Sequence, residues 1–111
     1  MVFEKTRQYY LYDRPTDMRK SFNTLGTIVK HEMLLPLTSG AGFIFINRRK
    51  THIKMLMWEG DGFSLYFKRL EQGTYEHPTN LESHVINHEK LMLVLQGIET
   101  EKIKKRKRFS L

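Results

Sequence analysis

The 111-residue chain contains no cysteine, which excludes a disulfide framework, a thiolate metal site and a thiol nucleophile. It has no uncharged apolar run of the roughly 18 residues that a membrane helix requires. Its opening residues, MVFEKTRQYY, lack the apolar stretch of a secretory signal. A soluble cytoplasmic protein is therefore expected. No internal repeat stands out at any period. Proline is scarce, with three in the chain, so each one serves as local punctuation. Acidic residues are outnumbered, 12 against 19 Lys and Arg, yet the imbalance is local. Lys102, Lys104, Lys105, Arg106, Lys107 and Arg108 stand against Glu101 alone, which puts +5 of the net +7 in residues 101–108. The rest is nearly balanced, so a domain at 1–100 and a basic, disordered tail at 101–111 need separate explanations.

What is present suffices for one small domain, since 40% of residues are hydrophobic and 12% aromatic, and domains cluster near this length. Residues 8–12, QYYLY, suit a short strand. Asp13 is a candidate helix N-cap and Pro15 suits a first helical turn. Met18, Phe22, Leu25 and Val29 then recur at spacings of four, three and four, which predicts an amphipathic helix over 15–31, ending before Pro36. Residues 43–46, FIFI, read as a strand buried on both faces, and Ile53, Met55 and Met57 alternate with His52, Lys54 and Leu56 in a second strand. The polar stretch NRRKT at 47–51 joins them as a hairpin loop. After the glycine turn EGDG at 59–62, Phe63, Leu65 and Phe67 mark a third strand. Residues 74–77 suit a short edge strand and Val85 with Ile86 another. Asn87 is a candidate cap for a nearly all-apolar helix that stops at Gly97. The fold class expected is α+β: a small antiparallel β-meander of three to five strands, covered on one face by two helices.

Two segments carry a resemblance. RPTDMRKSF at 14–22 and NRRKTHIKMLMWEGDGFSLYFKRLEQG at 47–73 resemble the small accessory protein of the insertion sequence 66 family of transposable elements, the TnpB type. PTDMRK, NRR, WEGDGF and KRLEQG occur in the family's order and intervals, and the likeness runs from about residue 10 to 98. The chain departs from the family at residues 21–23, at Ser64 and in its lysine-rich end. The resemblance implies a role in transposition beside a separate, larger transposase that performs strand transfer. A two-metal strand-transfer core needs a larger mixed domain than this, so the chain reads as an auxiliary and not the catalyst.

No catalytic, cofactor or metal residues are assigned. Glu59 and Asp61 sit where turns select Asp and Gly for backbone reasons, and Asp17 suits a helix start. His84 and His88 have a ligand-like spacing of four only if one helix is continuous, and Asn87 interrupts it. The candidate nucleic-acid residues are Arg48, Arg49 and Lys50 at the hairpin tip, Lys54 on the outgoing strand, Arg19 and Lys20, and the tail cations Lys102, Lys104, Lys105, Arg106, Lys107 and Arg108. A two-stranded ribbon can enter a major groove, and tail cations bind phosphate without reading sequence. Trp58, Tyr66 and Phe67 offer stacking surface, although core packing is the commoner use of strand aromatics. The expected function is a noncatalytic accessory factor that assists DNA transposition by contacting DNA, the element's transposase, or both. A protein adaptor docking through WEGDGF and KRLEQG is the competing reading, and a small nuclease is a third.

Overall fold

Apolar runs in the middle third build the sheet. In the computed structural model, which describes residues 6–75 and 85–95 and the backbone of 98–99 and 104–105, three strands form an antiparallel meander. They are β2 (Gly42–Ile46), β3 (His52–Trp58) and β4 (Phe63–Arg69), with Ile44 opposite Met55 and Met55 opposite Tyr66. β1 (Tyr9–Leu11) pairs with β2, and β5 (Val85–Ile86) pairs antiparallel with β1, which gives the order β4-β3-β2-β1-β5. The β1–β2 pair is parallel, so the sheet is mixed rather than purely antiparallel. Parallel neighbours need a crossover connection, and here it contains helix α1 (Phe22–His31).

Both faces of this sheet are apolar, and each has its own cover. Leu25, Ile28 and Val29 of α1 pack with Phe43, Phe45 and Leu56 on one side. Leu91, Val94 and Leu95 of α2 (His88–Leu95) pack with Ile44, Ile46, Ile53, Met55 and Met57 on the other. The helices therefore lie on opposite faces, not together on one. Successive strand residues point to opposite sides, so the unbroken apolar runs of β2 and the middle of β3 demand burial twice. Gly42 permits a close approach in the core, since a Cβ there would meet the Tyr9 ring at 2.8 Å. Gly60, at φ +92°, closes the turn into β4, a conformation that disfavours side chains bearing a Cβ.

The first helix is shorter than its apolar stripe predicts. It begins at Phe22, with Ser21 as N-cap in place of Asp13, and the Ser21 amide donates to Thr24 Oγ1 at 3.0 Å. Residues 12–16 instead follow β2: the Tyr12 amide donates to the Ile44 carbonyl and the Thr16 amide to that of Ile46, both at 2.9 Å. Residues 17–20 form a turn closed from the Lys20 amide to the Asp17 carbonyl at 3.1 Å. A tertiary contact explains this outcome. The ammonium of Lys54 donates to the carbonyls of Met18 and Lys20 at 2.7 and 2.8 Å. Those acceptors would otherwise serve the first turns of a longer helix.

Asn87 does cap α2, its Oδ1 accepting from the Lys90 amide at 2.7 Å; the helix is assigned to Leu95, and Gly97 lies outside the described residues. Residues 74–75 are not strand; Tyr75 is buried in the core and its amide donates to the Lys50 carbonyl at 2.7 Å. The rest of the expected edge strand, and His84, lie outside the described residues. Within the tail read as disordered, β7 (Lys104–Lys105) pairs antiparallel with β6 (Ile98–Glu99). Among the described residues no helix is long and apolar enough to cross a membrane.

Candidate nucleic-acid interface

The β2–β3 loop is held from within. Asn47 Oδ1 accepts from the amides of Thr51 and His52, both at 2.9 Å, and its Nδ2 donates to Thr51 Oγ1 at 3.1 Å. Such side-chain bonds to nearby backbone are the means by which Asn replaces regular pairing in turns. Lys50 takes a left-handed φ of +60° to close the loop. With the backbone fixed this way, Arg48, Arg49 and Lys50 all project into solvent.

The turn at 17–20 is arranged just as locally. Asp17 accepts from the Arg19 amide at 2.9 Å and from its guanidinium at 2.6 and 3.0 Å. The side-chain hydrogen bond from Arg19 is the main reason that the Asp17 carboxyl falls to a pKa of about 2. Asp17 thus stays ionised through the ordinary pH range, and Arg19 is engaged by it at the surface. Among the described residues, Lys20, Arg48, Arg49 and Lys50 form no ion pair.

These two segments, about thirty residues apart in sequence, form the walls of one cleft. It encloses about 520 Å³, and Asp17, Met18 and Lys20 line one side and Asn47, Arg48, Arg49 and His52 the other. That volume falls within the range of sites that hold small ligands or single groups of larger ones. The motifs PTDMRK and NRR are therefore one structural feature. Of the sequence candidates, Lys20, Arg48 and Arg49 line the cleft, while Lys50 and the Asp17-bound Arg19 belong to the segments that form it. The side chains of Lys102, Lys104, Lys105, Arg106, Lys107 and Arg108 lie outside the described residues.

Lys54 differs from the other candidates. It is only 6% exposed, and its ammonium is committed to the Met18 and Lys20 carbonyls. It is not a surface cation. It shapes the site from below, because charge-assisted bonds of this kind are stronger than neutral ones and fix the wall that carries Lys20.

Sequence reasoning gives His52 no role beyond a surface or partly packed residue, yet it lines the cleft while its Nδ1 lies 2.7 Å from Thr51 Oγ1. A histidine opening a strand carries no signal of that placement. Among the proposed stacking aromatics, Trp58 packs edge-on to Phe63 at 4.9 Å and Tyr66 packs against the α2-side core. Phe67 is 54% exposed and lies on the α1 side of the sheet, opposite Lys54. KRLEQG runs beside the hairpin, with the Leu70 amide donating to the Thr51 carbonyl at 2.9 Å. The turn of WEGDGF lies at the other end of β3, which at seven residues spans roughly 20 Å. Glu59 and Asp61 are exposed there, and among the described residues no three of His, Asp and Glu gather as metal ligands would.

Comparison with known proteins finds relatives over most of the chain. The profile of the family described as IS66 Orf2 like protein matches residues 7–105. A protein of Sinorhizobium fredii (strain NBRC 101917 / NGR234) named uncharacterized protein y4hO is 31% identical over 85 residues, covering 76% of this chain and 74% of that one. Another from the same organism, uncharacterized protein y4jC, is 26% identical over 94 residues, covering 84% and 80%. No solved structure gives a significant match. With a family profile spanning nearly all of it, the chain belongs to the IS66 Orf2-like family of insertion-sequence accessory proteins.

Proposed function

We propose that the protein assists transposition without catalysing strand transfer, by holding DNA at the cleft between residues 15–20 and the β2–β3 hairpin. The observation that carries this reading is the convergence of Lys20, Arg48 and Arg49 on one cleft from two distant motifs. Cations that form no ion pair among the described residues remain available to displace counterions from phosphate, and a two-stranded hairpin has a shape that a DNA groove admits. Asp17 restrains Arg19, so the site is not a uniform cationic patch. The tail's cations add attraction for any phosphate backbone.

The test is a duplex-binding titration at several salt concentrations with the Arg48→Ala/Arg49→Ala double variant. Weaker binding is expected, and a salt dependence shallower by up to about two on a log–log plot, one for each phosphate that an arginine no longer neutralises. The melting temperature should stay nearly constant, because exposed loop charges contribute little to folding. Unchanged affinity and slope would remove the cleft from DNA contact.

A second reading, contact with the element's transposase, is favoured by the turn at 59–62. Its exposed Glu59 and Asp61 lie at the end of β3 remote from the cationic cleft, so a basic protein surface could meet that end while DNA occupies the other.

A further inference from the structure

We infer that the site takes unpaired nucleotides, with a base stacking on Phe67 while phosphate is held in the adjoining cleft. This deepens the DNA reading above and rests on it. A single exposed phenylalanine means little by itself; its surroundings single this one out. Phe67 lies on β4 directly across from Lys54 and is 54% exposed. The Lys54 ammonium sits 4.8 Å from its ring centroid. That attraction to the ring's electron-rich face holds Phe67 in place although it is not enclosed. His52 lies 5.7 Å from the same ring, and His52 also lines the cationic cleft. The cationic cleft and an open aromatic surface therefore adjoin through one imidazole.

That combination discriminates between forms of DNA. In an intact duplex the base faces are stacked on one another and cannot reach a side chain on a sheet surface. A strand end or a locally opened duplex exposes them, and proteins that bind single strands pair a basic groove with aromatic rings for this reason. Arg48, Arg49 and Lys20 would then supply attraction for any DNA, and Phe67 would supply the preference for unpaired ends.

The experiment compares a blunt duplex with the same duplex carrying a short unpaired end, titrated against the wild-type chain, Phe67→Leu and Phe67→Tyr, with melting curves of each variant. The wild type should bind the tailed duplex about five- to tenfold more tightly, the low end of base–aromatic stacking, because Lys54 already occupies part of the ring's surroundings. Leucine keeps apolar bulk and removes the π face, so Phe67→Leu should erase that preference, the tailed duplex then binding no more tightly than the blunt one. Phe67→Tyr should retain the preference, which a merely structural role for the residue would not require. Equal wild-type affinity for both duplexes, or a preference that survives in Phe67→Leu, overturns the stacking proposal while the DNA reading stands. No binding to either duplex overturns both.

Discussion

Replacing Lys54 by methionine tests the central structural claim, that one buried ammonium holds the wall of the cleft. Methionine keeps most of the aliphatic stem and removes the charge. Two hydrogen bonds from a charged donor, at 2.7 and 2.8 Å, are each worth about 1.5–3 kcal/mol net, and the contact with Phe67 adds about 0.5–1 kcal/mol. Those values are already net of desolvation, so their sum of about 3.5–7 kcal/mol is the upper limit of the loss, and even about 1 kcal/mol moves the melting temperature by about 4–8 °C in a domain of this size. The local consequence is sharper. With the Met18 and Lys20 carbonyls released, the amides of residues 16–20 should exchange faster, and the stripe of Met18, Phe22, Leu25 and Val29 can extend α1 toward its N-terminus, raising helical circular dichroism. DNA affinity should fall although no exposed cation has been removed. If Lys54→Met melts with the wild type and leaves the amides of residues 16–20 unchanged, the buried ammonium does not organise the cleft.

Three further outcomes follow from named contacts. Gly42→Ala should destabilise by about 1–3 kcal/mol in a thermal melt, because the added Cβ meets the fully buried Tyr9 at 2.8 Å and Met55 Sδ at 3.1 Å; an unchanged melting temperature would contradict that packing. Tyr12, whose hydroxyl donates to Glu32 Oε1 at 2.7 Å, is pushed up to a pKa of about 12, chiefly by burial and then by that carboxylate. A raised folded-state value means that the stabilisation is complete below the unfolded value near 10 and is lost as pH rises through about 12, so denaturant titrations should show a steeper alkaline loss in the wild type than in Tyr12→Phe. Asp17 has the opposite sign, its carboxyl falling to about 2. Any support its bond to Arg19 gives is present above the ordinary carboxylate range and disappears as pH falls toward 2, which carboxyl chemical shifts followed through an acid titration would show, and a midpoint near 4 would argue against a persistent pair in solution.

Much of the fold was legible because it rests on local periodicity. The alternation of Ile53, Met55 and Met57, the apolar run at 43–46 and the glycine turn at 59–62 specify a meander without reference to anything distant, and the Asn87 cap is a local bond as well. The order of motifs was also enough to suggest the family. The limits came where a distant group intervened. Nothing near residues 15–20 announces that a lysine about 35 positions later will take their carbonyls, so a stripe with helical spacing overstated the helix. Nor does a pattern of apolar residues say which helix covers which face; opposite placement follows from β2 and β3 being apolar on both sides within a mixed sheet. The same holds for the site. Lys20, Arg48, Arg49 and Lys54 look alike as basic residues in a sequence, but the tertiary structure leaves three lining a cleft and buries the fourth beneath it. Periodicity encodes which way a side chain points along its own element. Only packing decides which carbonyl, ring or cation it meets there.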